Sequence, residues 1–310
     1  MEQAPTISKR FKAWLSLSRP PFHLVGLFPF FLGATIAWSQ GYLINWAALL
    51  LSAFAVALIM LTTYYSGEYY DYETDSINVD YDKFSGGTRV LPEGLIPHRQ
   101  ALVAAYLSLF LAVAIGLVLH FYYKTGPWTL PLGAFGLFCG LFYTSKPIQW
   151  AYRGIGEVLI GICYGWLAVN ASYYLQTQHF GLLPTLVSVP IAISIFLVIL
   201  INEFPDYTSD KISGKRNLVV RLEQERAATL YTALLIACFL TIVLSLFYGV
   251  PWLAAPLSLI ALFLILMNLR TMRRREWKDR KTGEALRART YMLNLAIAII
   301  YIIAFVWSQG

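Results

Sequence analysis

Long apolar runs alternate along the chain with short polar stretches, and this alternation sets the predicted elements. Nine runs read as membrane-crossing helices, at roughly 21–40, 43–65, 100–121, 127–143, 155–176, 183–202, 228–248, 251–269 and 290–307. A helix needs about 20 largely apolar residues to cross the hydrocarbon core of a bilayer. Pro, Gly or polar residues bound many of the runs, as at Pro20-Pro21, Gly126-Pro127, Gly181 and Gly249 to Pro251. Inside each run the apolar residues are continuous, not alternating, which predicts a helical bundle and not a barrel. The expected fold is an all-α integral membrane protein with nine transmembrane helices, residues 1–310 forming a single polytopic domain.

Composition strengthens this reading. The chain is 58% hydrophobic and 13% charged, with a mean hydropathy of +0.58, whereas soluble domains carry about 25% charged residues. The nine-span topology sorts the charges sharply. Of 24 Lys and Arg residues, Lys124 alone falls on one side, and all 17 Asp and Glu lie on or beside the other. The positive-inside rule makes the charged side cytoplasmic. The expectation is a multi-pass cell-membrane protein with its N-terminus cytoplasmic and its C-terminus on the outer side. The net charge of +7 then needs no nucleic acid. Its densest patch, RTMRRREWKDRK at 270–281, reads as a topogenic loop facing anionic lipid. Cys139, Cys163 and Cys238 lie in predicted spans without metal-ligand spacing and read as packing residues.

One polar pattern occurs twice. GEYYDYETD (67–75) and NEFPDYTSD (202–210) both contain E-x-x-D-Y-x-x-D, and each follows a long apolar run. On a continuous helix the offsets 0, 3 and 7 share an arc of about 60°. Three carboxylates on one face, beside a membrane, mark function. A hard divalent cation suits such a set, because Mg²⁺ commonly sits between carboxylates and substrate phosphates. The candidate metal ligands are Glu68, Asp71 and Asp75 with Glu203, Asp206 and Asp210; the four aspartates are also the candidate catalytic residues. Pro205 places Glu203 at a break, with Asp206 and Asp210 on the next turn. Each motif is followed by cations on a Gly-containing stretch, Lys83 and Arg89 after the first and Lys211, Lys215 and Arg216 after the second. This combination suits a phosphate or diphosphate held through the metal. The repetition implies two related halves, about 1–125 and 126–310, facing a shared cavity.

With these motifs the chain resembles the UbiA superfamily of intramembrane polyprenyltransferases, whose hallmarks are N-D-x-x-D-x-x-x-D after the second span and D-x-x-x-D after the sixth. The stretches RPPFHLVGLFPFFLGATIAW (19–38), SGGTRVLPEGLI (85–96), YTSKPIQWAYRGIGE (143–157) and DKISGKRNLVVRL (210–222) are similar to the 1,4-dihydroxy-2-naphthoate branch of menaquinone synthesis. Gly67 and Glu68 depart from the usual Asn-Asp. The resemblance implies Mg²⁺ as cofactor, a polyprenyl diphosphate and an aromatic acceptor as substrates, and a central cavity open to the cytoplasmic side and the bilayer. It adds Lys146 and Arg153 to the diphosphate-binding candidates Arg89, Lys211, Lys215 and Arg216. Arg153 and Glu157 are also spaced for a helical ion pair. No obligate protein partner is evident. Other acceptors remain open, among them 4-hydroxybenzoate, homogentisate or another lipid precursor. A transporter would also bury acids between repeated halves, but here the acids lie at span ends and not at mid-membrane.

Overall fold

The computed structural model describes residues 7–79, 81–82 and 84–309. Lys83 therefore lies outside the described residues. Every regular element among them is helical. In chain order these are α1 (Ile7–Leu17), α2 (Pro20–Ser39), α3 (Trp46–Tyr70), α4 (Tyr72–Ile77), α5 (His98–Phe121), α6 (Thr129–Leu141), α7 (Gly156–Ile160), α8 (Ala168–Thr177), α9 (Leu182–Asn202), α10 (Tyr207–Ile212), α11 (Leu218–Leu222), α12 (Gln224–Ser245), α13 (Ala254–Arg273) and α14 (Arg280–Trp307). A π-helical stretch, Gly161–Leu167, joins α7 to α8, making one continuous rod from Gly156 to Thr177.

Eight helices among the described residues are long and apolar enough to cross a membrane, α1 and α2 counting as one. The predicted run at 127–143 folds as α6, only 13 residues long. At 1.5 Å per residue it rises about 20 Å, less than a bilayer core.

Local chemistry explains the helix ends. Asn45 accepts from the backbone N–H of Ala48 at 3.1 Å and caps α3. Asp279 accepts from Thr282 at 3.0 Å and caps α14. Pro20 and Pro21 open α2, where a missing N–H costs nothing. Arg19 just before them has φ 48°, a left-handed kink separating α1 from α2.

Small residues let the helices approach. A Cβ built on Gly33 of α2 would fall 2.1 Å from the Val169 carbonyl oxygen of α8, and one on Gly165 would meet Ala192 of α9 at 2.5 Å. Such contacts replace the hydrophobic effect as the packing force inside a bilayer. Polar bonds between spans add to them. Tyr231, Asn268 and Thr290 link α12, α13 and α14, and Asn294 donates to Ser194 at 2.9 Å. The main core unites α2, α8, α9, α12, α13 and α14 around Leu197, Tyr231 and Tyr301.

Candidate active site

The first acidic motif begins in the last turn of α3 and crosses into α4. The sequence predicted one continuous helical face, but Asp71 breaks the helix, with φ −88° and ψ 3°. Glu68 thus belongs to α3, Asp71 to the junction and Asp75 to α4. The second motif folds as Pro205 dictates: α9 ends at Asn202, residues 203–206 form a turn, and Asp210 lies on α10.

The two motifs meet. The Lys215 ammonium lies 3.6 Å from Asp210 Oδ1 and 3.9 Å from Asp71 Oδ2. Asn78, just after the first motif, donates to Asp206 Oδ1 at 2.7 Å. Asn217 donates to Asp210 Oδ2 at 2.7 Å, and the Tyr152 hydroxyl to Asp71 Oδ1 at 2.7 Å. The glycine loop between α4 and α5 folds over the acids. Gly86 donates its N–H to Asp206 Oδ2 at 3.3 Å. At Gly87, φ is +69° and a Cβ would lie 2.2 Å from Asp75 Oδ2, so that close approach requires glycine.

Burial and mutual repulsion make these acids resist ionisation. Burial, then Asp71 and Glu68, push Asp75 well above the carboxylate range. Burial and Asp210 push Asp206 up to about 7. Asp210 is raised by burial, against the pull of Lys215. Burial and the adjoining Glu157 push Glu203 well up. Burial alone would lower Lys215, but Asp210, Asp71 and Tyr152 reverse that and hold it well above its usual value. Asp210 Oδ1 and Glu203 Oε2 are buried without a hydrogen-bond partner. A crowd of hard oxygen donors short of positive charge fits a divalent cation such as Mg²⁺. Among the described residues, no three acid, His or Cys side chains stand together so as to hold a metal ion by themselves.

Several candidates have other partners. Both Glu68 oxygens are engaged: Oε1 accepts from Arg19 at 2.7 Å and from the Thr88 N–H at 2.9 Å, and Oε2 accepts from the Thr88 hydroxyl at 2.9 Å. Glu68 thus ties the glycine loop to the start of α2 and keeps one lone-pair position open on Oε2. Arg89 donates to the Asp75 carbonyl and stacks 4.4 Å over Tyr81. Arg153 is spent on the loop itself, donating to the Ile148 carbonyl at 2.6 Å. The ion pair expected between Arg153 and Glu157 does not form, because Glu157 instead accepts from the Leu218 N–H at 2.6 Å. Lys211 is exposed and bonds to Tyr207 and Glu223, while Lys146 and Arg216 are exposed. Arg19, Asn78, Thr88, Tyr152 and Asn217 were not singled out in the sequence. The signal available was polarity beside a motif, as Asn78 follows Asp75 by three positions and Asn217 follows Arg216 directly.

Beneath the acids is an apolar cavity of about 270 Å³, walled by α3, α5, α6 and the rod from Gly156 to Thr177. Tyr143 lines it. Burial, Glu203 and Glu157 push the Tyr143 hydroxyl well up, and Lys215 and Asp71 also act on it. Tyr143 is thus where the apolar cavity meets the acidic cluster.

The model of the UbiA prenyltransferase family matches residues 26–293. The chain belongs to the UbiA prenyltransferase family. Family members similar to it include the 1,4-dihydroxy-2-naphthoate octaprenyltransferase of Mycobacterium tuberculosis, 32% identical over 80% of this chain and 84% of the relative. The Bacillus subtilis protein of the same name is 28% identical over 76% and 75%. Among solved UbiA structures, the apo homologue from Aeropyrum pernix superposes with a TM-score of 0.69 at 18% identity, covering 93% of this chain and 98% of that one. The Archaeoglobus fulgidus homologue bound to GPP and Mg²⁺ gives 0.62 at 15% identity, covering 93% and 99%. These UbiA structures share the fold, and the chain is a multi-pass membrane protein like the rest of its family.

Proposed function

We propose that this chain is a Mg²⁺-dependent prenyltransferase that moves a polyprenyl group from its diphosphate to an aromatic acid, with 1,4-dihydroxy-2-naphthoate as acceptor. The observation that carries the reading is Lys215, which sits between Asp71 and Asp210 and draws the two acidic motifs into one site. The names of the relatives supply the acceptor. The Archaeoglobus structure supports the metal and the diphosphate.

Asp71, Asp75, Asp206 and Asp210 would hold the metal, with Glu203 beside them. Bound there, Mg²⁺ supplies the positive charge that stabilises departing pyrophosphate. Lys215 neutralises further phosphate oxygens. The Gly86 N–H and Asn78 fix Asp206, so the donors are oriented before substrate arrives. The isoprenoid tail would lie in the apolar cavity, which keeps water from the allylic carbon, and Tyr143 and Tyr164 in its lining are the aromatic side chains available to developing positive charge. The allylic C–O bond breaks and its electron pair leaves with pyrophosphate. A ring carbon of the acceptor gives an electron pair to form the new C–C bond, and the bond from the ring to the carboxylate breaks, its electron pair restoring the aromatic ring as CO₂ leaves. In this reading α6 completes nine spans. The related halves each contribute one motif, and the motif end of the bundle is cytoplasmic.

Substitution tests the shared site. Asp71→Ala, Asp75→Ala, Asp206→Ala and Asp210→Ala each lose most turnover while the protein still inserts in the membrane. Near-normal rates in two of them would refute a two-motif site. Product mass spectrometry with naphthoate, benzoate and homogentisate acceptors decides the acceptor.

A further inference from the structure

Helix α1 turns one apolar side into the protein and another out of it. Ala13 and Leu17 are buried, in one cluster with Tyr65 of α3, Val90 and Leu91 beyond the glycine pair, and Ala101 of α5. Away from that cluster, Ile7, Phe11 and Leu15 are 90%, 69% and 52% exposed. Spaced by four, they share an arc of about 80°. Arg10 and Lys12 stand about 100° to either side of Phe11, so a cation borders each edge of the arc. Over its 11 residues the helix carries Lys9, Arg10 and Lys12 and no acid.

The inner contacts place α1 at the motif end of the bundle. Tyr65 meets Trp14 edge to face at 5.8 Å and shares a 2.7 Å hydrogen bond with Ser18. It lies near the end of α3, as Ala101 lies in the first turn of α5. Just beyond, α5 exposes Val103, Leu107 and Phe110, the apolar side of a membrane-crossing helix. The outward arc of α1 thus meets the edge of the apolar belt, where hydrocarbon gives way to headgroups. A helix this short is marginal in water, and two buried side chains are a small foothold. Its chemistry says what covers the rest: an apolar arc sinks to the acyl boundary while Arg and Lys stems reach back to the phosphates. Three cations without an acid favour an anionic headgroup over a neutral one.

We infer that α1 is an interfacial helix seated in the headgroup layer of an anionic bilayer, and that this seat braces the glycine loop over the acidic cluster. Two connections carry the brace. Val90 and Leu91 follow directly on the loop and pack in the α1 cluster. At its end α1 hands over to Arg19, which holds Glu68 at 2.7 Å, and Glu68 holds Thr88 through both oxygens. Thr88 adjoins Gly87, whose backbone abuts Asp75. Helix α1 therefore acts on the acids by positioning the loop. The consequence for turnover rests on the proposed function; the seat and the order of the loop do not.

The test uses full-length protein in nanodiscs of phosphatidylcholine, alone or mixed with phosphatidylglycerol. Nitroxides are attached at Phe11→Cys or Ser16→Cys after Cys139, Cys163 and Cys238 are replaced by Ala. In mixed discs the Phe11 label collides with oxygen more than with a polar nickel complex, and the Ser16 label, about 140° round the helix, does the reverse. A Phe11 label that meets the nickel complex freely overturns the seat. So does one broadened by the label of a neighbouring copy, which assigns the arc to self-association. Hydrogen exchange then reads the brace without any turnover. In mixed discs Phe11→Asp, and Arg10→Gln combined with Lys12→Gln, each speed amide exchange across residues 86–95 about tenfold and leave α9 unchanged. All three side chains are exposed, so the bundle stays folded without them. Loop exchange that ignores both variants overturns the brace. In steady state the parent turns over about threefold faster in mixed discs than in phosphatidylcholine, and the double variant loses that gain; equal parent rates in both discs overturn the link to turnover. A seated helix and a braced loop in a protein that prenylates nothing would sink the proposed function and leave the seat and the brace standing.

Discussion

Replacing Lys215 with Met keeps the side-chain volume and removes the charge joining the two motifs. Its separations from Asp210 and Asp71 are 3.6 and 3.9 Å. At an effective dielectric of about 20, each attraction is worth about 4 kcal/mol before solvation is counted. Burying an ammonium costs several kcal/mol, which the variant recovers, so the net loss is about 3 kcal/mol. For a chain this long that lowers the apparent Tm by about 6 °C. The assay is thermal unfolding in detergent followed by circular dichroism, run once with EDTA and once with excess Mg²⁺. The full drop appears in EDTA and most of it is recovered with Mg²⁺, since the cation supplies the missing charge to the same carboxylates. An unchanged Tm in EDTA would show that Lys215 does not hold the motifs together. A drop that Mg²⁺ fails to restore would show that the acids take no divalent cation.

Gly87→Ala should cut turnover about tenfold or more, because the added methyl meets Asp75 Oδ2 and the left-handed backbone adds about 1 kcal/mol of strain; a normal rate would mean that the loop can retreat without cost to the site. Asn78→Ala leaves Asp206 without its 2.7 Å donor, a loss of about 1.5–3 kcal/mol for a charge-assisted bond, and the Mg²⁺ concentration for half-maximal rate should shift. Gly33→Leu should cost at least about 2 kcal/mol by forcing α2 away from the Val169 carbonyl of α8, read as loss of detergent-stable protein on size exclusion. Impermeant maleimide applied from outside intact cells should label a cysteine placed at Ser308 and spare one at Lys281; the reverse would overturn the orientation.

The apolar runs were legible because the period and length of a membrane helix are written locally. The run at 127–143 was legible but its length was not, since Gly133, Gly136 and Gly140 accompany a helix of only 13 residues, Thr129–Leu141, without any polar marker. Helix α1 escaped because Lys9, Arg10 and Lys12 interrupt its apolar positions. The paired acidic motifs were visible as a repeat, and Pro205 announced the break in the second copy. Nothing comparable flagged Asp71 as the break in the first. Partners across the fold stayed hidden for a different reason. Arg19 lies 49 positions from Glu68 and Asn78 lies 128 from Asp206, and no periodicity joins residues so distant. Arg153 shows the converse: its spacing to Glu157 suited a helix, but residues 153–155 are not helical, so the pair never forms.

The π-helical stretch Gly161–Leu167 changes what determines the shape of the apolar cavity, to which it contributes Cys163, Tyr164 and Leu167. A π turn holds about one residue more than the ordinary turn, and its wider winding absorbs that residue without turning the following side chains by the roughly 100° that an added α residue would impose. The wide turn follows α7, which carries Glu157, and puts Tyr164 in the cavity wall. Deleting a single codon in this stretch would return the rod to ordinary winding and remove the wide turn from the cavity wall, while Ala168 to Thr177 would keep nearly their present faces. The width of the cavity at this level is thus inherited as a residue count, and length variation here reshapes the room for the tail more abruptly than substitution does.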